Sequence, residues 1–403
     1  MRMRLALPNT RQAVFIGWIA LLSLLALLGV GTAIWVFKEG LVVTNLSNQV
    51  PWGLWITVDL SSIALSGGAF FLSALVYIAG IERFKPAARL AVFAGMLGYG
   101  AALCTLLIDI GRPDRFYHPL VFWNVHSMLW EVSMCIVLYF SVLTLEVFPL
   151  VTTHPFFDRL PRVRALAERI HKAAPVLAFL GLGFSMLHQS SLGATYGVVI
   201  ARPIWFRPTM PLLFIVSAIA AGPALTITLA LIVGWLRGRA IVPRNVLFDI
   251  ARIAGLVLLV YLYMRFWDAM AGNYGYVPLR SEATAVLTKG SMALSFWSWE
   301  IVLGTVIPAV LLLWAAFTKR EAELFIGSSM AVIGLIANRW HTTIVGLTTP
   351  LTTNPALTYP LIPSYTPAWT EWAVAIGIIG GVLLVFTLGV RYLPAFNPQS
   401  DSH

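Results

Sequence analysis

Charge is what this sequence has least of. Asp, Glu, Lys and Arg make up 11% of its 403 residues while apolar types make up 59%, whereas a soluble domain carries roughly a quarter charged residues. A surface that poor in charge is stable only against hydrocarbon, which predicts a membrane protein. Cysteine is nearly absent as well: Cys104 and Cys135 each stand inside an apolar run, and no CxxC, CxxCH or His/Cys spacing suited to zinc occurs. The chain is therefore expected to hold no iron–sulfur cluster and no covalently attached haem c. Basic residues outnumber acidic ones, for a formal net charge of +10, a balance that elsewhere suggests nucleic acid. Here the Lys and Arg fall into short segments between apolar runs, so nucleic acid is not an expected partner.

What the sequence has in abundance is long apolar runs. Crossing a ~30 Å hydrocarbon core takes about 20 residues, and runs of that order lie at 12–37, 54–80, 88–110, 125–149, 173–194, 210–236, 246–268, 292–317, 322–343 and 370–390. The first follows the basic start Met1-Arg2-Met3-Arg4 and is too long for a cleavable signal, so it is expected to persist as helix one. An even number of about ten helices puts both termini on one side. With that side taken as inner, inner segments hold seventeen of the 27 Lys and Arg, including Arg83, Lys85, Arg89, Arg162, Arg164, Arg169, Lys172 and Arg237. The opposite segments and helix ends hold eight, among them Arg112, Arg202, Arg207, Arg280 and Arg339. The positive-inside bias then predicts both termini in the cytoplasm.

The outer segments differ in kind from the inner ones. They are long and rich in Trp, Tyr, Pro, Thr and Asn, as in NQVPWGLW, HPLVFWNVHSM and the stretch from Gly346 to Trp372. Interfacial Trp and Tyr account for part of this. Segments of this length also need a surface to lie against, which predicts a docked partner subunit. The pairs Trp130-Glu131-Val132 and Trp299-Glu300-Ile301 echo one another in helices four and eight. They suggest an all-α fold of two related four-helix bundles, helices two to five and six to nine, flanked by helices one and ten. The organisation expected is one membrane domain over 1–403: first helix and loop to 50, first bundle 51–200, second bundle 201–345, outer loop and last helix 346–403.

Ionisable side chains inside these runs are the main functional signal. A carboxylate near the bilayer centre costs about 2.5–3.5 kcal/mol even on the lenient insertion scale, so those that survive face protein or a water-filled pocket. Here they include Asp59, Asp109, Glu131, Asp268, Glu300 and Glu371, with Arg265, Arg339, His126, His188 and His341. The predicted topology puts nearly all in the outer third. Asp59, Ser62 and Ser66 share a helix face, as do Ser127 and Glu131; Asp109 and Arg112 stand at the exit of helix three; His188-Gln189-Ser190-Ser191 is an unusually polar helix end.

A quinone head group suits such a pocket. Its two carbonyls require hydrogen-bond donors, and its two-electron chemistry moves two protons through groups such as His, Asp and Glu. Trp52, Trp55 and Trp123 are candidate walls. A haem b anchor is the first alternative, held by two of His126, His188 and His341. No histidine stands in the inner half of any run, because His154 and His171 lie in the basic inner loop, which excludes a two-haem ladder. A secondary transporter is the second alternative; its site is expected at the midplane beside broken helices.

The run Leu107-Ile108-Asp109-Ile110-Gly111-Arg112-Pro113-Asp114-Arg115-Phe116 resembles the helix-three signature of the NrfD/PsrC family, membrane subunits of polysulfide-reductase-type complexes. The stretches Pro51–Asp59, Asn124–Glu131 and His188–Gly193 are most similar to the HybB-like branch. The resemblance implies exchange of menaquinone or ubiquinone near the outer face, with no bound haem. It implies a ferredoxin-like iron–sulfur subunit on that face, wired to a hydrogenase, a molybdopterin enzyme or a multihaem cytochrome c, in a bacterial cytoplasmic membrane. The quinone-binding residues expected are Asp59, Asp109, Arg112, His126, Glu131, His188 and Gln189. The family is also associated with proton movement, for which Ser62, Ser66, Tyr139, Glu146, Arg265 and Glu300 are the candidate path.

Overall fold

The computed structural model describes residues 10–275, 280–348 and 365–396. Ten helices among them are long and apolar enough to cross a membrane: α1 Gln12–Glu39, α2 Leu54–Tyr77, α3 Glu82–Asp109, α4 Met128–Val151, α5 Ala174–Gly197, α6 Met210–Arg237, α7 Arg244–Tyr274, α8 Ala293–Thr318, α9 Glu321–Thr348 and α10 Trp369–Tyr392. The chain is thus a multi-pass, all-α integral membrane protein, and each predicted run coincides with one helix. Most of the loop from Gly346 to Trp372 lies outside the described residues, including its Pro-rich centre.

Local chemistry sets the helix ends. Gly111 adopts the left-handed region at φ 69° and turns the chain out of α3, a conformation that costs glycine nothing. The loop beyond it runs over the surface until Ser127, whose Oγ accepts from the Trp130 amide as an N-cap, so α4 begins three residues later than predicted. On the opposite face, Pro161–Lys172 forms an amphipathic helix with its Arg and Lys outward, suited to an interfacial position.

The long helices pack in closed circuits. Helix α2 packs on α3, α3 on α4, α4 on α5 and α5 again on α2; likewise α6 on α7, α7 on α8, α8 on α9 and α9 on α6. Helix α6 also packs on α2 and α5, and α1 on α10. At the α2–α6 crossing a Cβ on Gly68 would collide with the Gly222 Cα. Only paired glycines permit that backbone approach, the small-residue logic of helix association in lipid.

Two helices depart from α geometry. Phe296–Val306 of α8 and His341–Val345 of α9 are π-helical. Neither interruption is marked by a Gly/Pro pair, so the sequence predicted uniform helices there. Such widened turns are associated with functional sites, and these two face each other.

Candidate functional site

Two polar clusters lie inside the helices, one in each circuit. In α2–α5, His188 is fully buried and its Nδ1 lies 2.7 Å from the Tyr99 hydroxyl on α3. The Tyr99 ring meets that of Tyr139 on α4 edge-on at 4.4 Å. Beside His188, Gln189 donates through Nε2 to the Ile63 carbonyl of α2 at 3.1 Å. Glu131 accepts from the Ser191 hydroxyl at 2.6 Å, tying α4 to α5. Ser66 back-bonds to the Ser62 carbonyl, and its hydroxyl occupies the space a side chain on Gly98 would need.

The distinguishing feature of this cluster is unmet hydrogen-bonding capacity. Asp59 Oδ1, Asp109 Oδ1, His188 Nε2, Gln189 Oε1, the Tyr139 hydroxyl and Glu146 Oε2 are buried without a partner among the described residues. A buried polar atom left unpaired costs about 1–3 kcal/mol, and six in one helix circuit call for something to bind. At 1.5 Å per residue, Asp59 lies about 8 Å below the outer end of α2, whereas His188 lies about 14 Å below that of α5. Glu146 stands only five residues from the far end of α4, so the unpaired groups extend well beyond the outer third that the sequence suggested.

Two expected members are elsewhere. Arg112, expected at the quinone, is exposed and forms a two-pronged pair with Asp114 (3.0 and 2.9 Å). That bond holds the Asp114 carboxyl below its ordinary range and raises the Arg112 guanidinium. His126 is exposed just before the Ser127 cap. Both corrections follow from the Gly111 turn, which sends 112–126 over the surface. Of the candidate walls, Trp55 is buried, with its indole N–H on the Glu371 carbonyl; Trp52 stacks on Trp205; Trp123 is exposed. Glu371 itself pins structure: it accepts from the Asn45 and Ala368 amides at 3.0 and 3.1 Å and from the Tyr365 hydroxyl. Burial and this carboxylate raise the Tyr365 phenol above its ordinary range.

In α6–α9 most of the polar groups pair with one another, although Arg207 Nε, Arg339 Nε and the Ser329 hydroxyl are buried without a partner among the described residues. Glu300, in the π segment of α8, accepts from Arg265 at 2.6 Å and Asn338 at 2.9 Å, and pairs with His341 Nδ1 at 2.8 Å. The other ring nitrogen of His341 lies 2.9 Å from the Ser295 hydroxyl. The widened turns of α8 and α9 bring Glu300 and His341 together. Arg339 is buried, bonded to Asn338 and Ser217, with its guanidinium 3.9 Å from the Phe214 ring centre. Asp268 binds Arg207 at 2.6 Å, Arg280 at 3.5 Å and Thr209. Arg207, Arg280 and Thr209 stand among outer-loop residues in the sequence, and no local pattern marks their return to the helices. The echo between Glu131 and Glu300 is therefore sequential only; one meets a serine and the other an ion-pair network. Among the described residues, no group of three or more His, Cys, Asp or Glu is arranged to hold a metal ion.

A polytopic helical protein with two buried polar clusters, each holding unpaired polar atoms, is a membrane subunit suited to a small exchangeable ligand. The model of the polysulphide reductase NrfD family matches residues 42–351, and the chain belongs to that family. It is 34% identical to the integral membrane subunit of a menaquinone reductase from Nitratidesulfovibrio vulgaris, over 96% of this chain and 93% of that one. It is 27% identical to a selenate reductase subunit from Mesobacillus selenatarsenatis, over 96% of each. A further relative is the probable Ni/Fe-hydrogenase 2 b-type cytochrome subunit of Escherichia coli, 27% identical over 89% of this chain and 87% of that one.

Proposed function

We propose that this chain is the quinone-reactive membrane subunit of a respiratory redox complex, passing electrons between a partner on its outer face and the membrane quinone pool. The observation that carries this is the set of unpartnered buried atoms on α2, α3 and α5, Asp59 Oδ1, Asp109 Oδ1, His188 Nε2 and Gln189 Oε1, in a chain whose relatives include a menaquinone reductase subunit. A quinone carbonyl accepts from the His188 Nε2–H and from an aspartic acid once protonated, and the hydroxyls of the reduced quinol donate to the carboxylates and to Gln189 Oε1. With the Tyr99 hydroxyl donating to Nδ1, the His188 proton sits on Nε2, free to bond a carbonyl. Quinone reduction takes two electrons from the partner and two protons through His188 and the carboxyls of Asp59 and Asp109; oxidation runs the reverse.

We place the proton source at the inner end of the same helices. There Glu146, with Tyr77, Lys85, Arg89 and His171, lines a cavity of about 60 Å³, room for a few waters. Tyr139 stands between Glu146 and the Tyr99–His188 pair along α4. We assign proton supply to this line, and to the Arg265–Glu300 pair a structural role, because its groups are already matched. The partner we place on the outer loop after α3, where Phe122, Trp123 and Val125 are each more than 60% exposed. An iron–sulfur subunit there is the electron carrier the reading requires. The haem alternative is less well supported: His188 and His341 belong to different helix circuits, and both nitrogens of His341 are engaged.

Replacing His188 with Ala or Asp109 with Asn is expected to leave the complex assembled and cut quinone-linked turnover about a hundredfold or more, the usual scale for a positioned proton-transfer group. Wild-type turnover in both purified variants would overturn the assignment. A stoichiometric b-type absorption band in the purified wild type, lost in His188→Ala, would favour the haem alternative.

A further inference from the structure

We infer that the outer half of α6–α9 carries a separate binding site for an anionic phospholipid, its phosphate held by Arg280 and Arg207 and its acyl chain lying in the cavity between α7, α8 and the Arg280–Thr288 helix. The cavity has a volume of about 560 Å³, far larger than the space at the inner end of α2–α5. Its polar end is formed by Arg207, Arg265, Arg280, Asp268, Glu300 and His341, and its walls include Leu262, Phe266, Met270, Leu287, Trp297 and Ile301.

Charge selects the kind of ligand. Among the described side chains, three guanidinium groups face two carboxylates, and Arg339 behind them has Asn338 and Ser217 but no carboxylate among its bonds. Taking charge out of water is expensive unless it is paired, so the excess of positive charge calls for an anion. Arg207 Nε is buried and unpartnered, and burial lowers that guanidinium to about 10. Arg280 reaches Asp268 only at 3.5 Å. A neutral quinone carbonyl would accept a hydrogen bond here and leave the charge unbalanced.

Depth selects a lipid. Helix α7 spans 31 residues, about 46 Å at 1.5 Å per residue, so it projects beyond a ~30 Å hydrocarbon core at both ends. Asp268 lies six residues, about 9 Å, before Tyr274, its final residue, which places the Arg207–Asp268–Arg280 group at the edge of the hydrocarbon core, within reach of lipid phosphates. Below it, the cavity-lining Phe266 and Trp297 are half exposed, where we place the entry of a chain from the bilayer. The site is independent of the quinone assignment, and nothing in it requires electron transfer.

The test is the lipid retained by the full complex after extensive detergent washing, measured by mass spectrometry. We expect about one anionic phospholipid per chain in the wild type. Arg280→Gln removes a charge-assisted contact, and a contact worth about 1.5–3 kcal/mol corresponds to a loss of roughly tenfold or more in retention. Ala269→Phe, which fills the cavity without touching the charges, should have the same effect and keeps the test valid if Arg280→Gln fails to assemble. Equal retention in wild type and variants, or no retained lipid at all, would overturn the inference. So would an isoprenoid quinone held at this stoichiometry and lost in both variants. In a second arm, lipid-stripped wild type is heated with anionic vesicles or with inorganic phosphate. Stabilisation by the vesicles alone supports a lipid, and equal stabilisation by phosphate alone contradicts it.

Discussion

At the scale of single residues, groups that bind separate from groups that hold the fold. His188 and His126 make the sharpest contrast. His188 is fully buried, bonded on one nitrogen and unpaired on the other, while His126 is exposed ahead of a helix cap. We therefore expect His126→Ala to bind quinone like the wild type in a complex that loses binding with His188→Ala, checked by quinone labelling of the two purified proteins. Glu371 belongs to the second kind. Without its carboxylate the amides of Asn45 and Ala368 and the Tyr365 hydroxyl lose their acceptor. Glu371→Ala should lower stability by about 1–3 kcal/mol, read as a fall in the thermal midpoint. Both residues were visible in the sequence as polar groups in apolar runs. Their roles were not, because a partner 326 residues away, as Asn45 is from Glu371, leaves no trace in local spacing.

At the scale of helices, the protein depends on close backbone approach and on two irregular turns. The Gly68–Gly222 contact joins α2 to α6 and hence one circuit to the other. Gly222→Leu would force them apart, and the expected result is loss of assembled protein from the membrane, measured as folded yield against Gly183→Leu, where a side chain meets open space. The π segments widen α8 and α9 so that Glu300 meets His341 and Arg265. The spans themselves were legible, since about 20 apolar residues announce a crossing. The π turns were not, because they contain ordinary helix-compatible residues and arise from the fit of neighbouring helices. The same limit hid part of the second cluster: Asp268, Arg265, Glu300, Arg339 and His341 stood out in the sequence, but Arg207 and Arg280 sit among loop residues, and only the folded chain brings them to Asp268.

At the scale of the whole molecule, the two helix circuits hold different polar chemistry. One holds unpaired acids, imidazole and a phenol spread along its helices. The other holds a network of ion pairs with excess positive charge beside a large cavity. The family and the membrane character were readable from Asp109-Ile110-Gly111-Arg112-Pro113 and from hydropathy; the depth of His188 and the exposure of Arg112 required the structure. The predicted orientation, with both termini inside, follows from the basic inner segments. It is tested by single cysteines labelled with an impermeant reagent: one near Arg164 should react only after the membrane is opened, and one near Trp123 should react in intact cells. The central claim is the place of the quinone. A photoreactive azidoquinone, activated in the purified complex and followed by peptide mapping, should label the segments around Asp59, Tyr99 and His188 and lose that labelling in His188→Ala. Labelling confined to α7 and α8 around Arg265 and Phe296, or unchanged by the substitution, would contradict it.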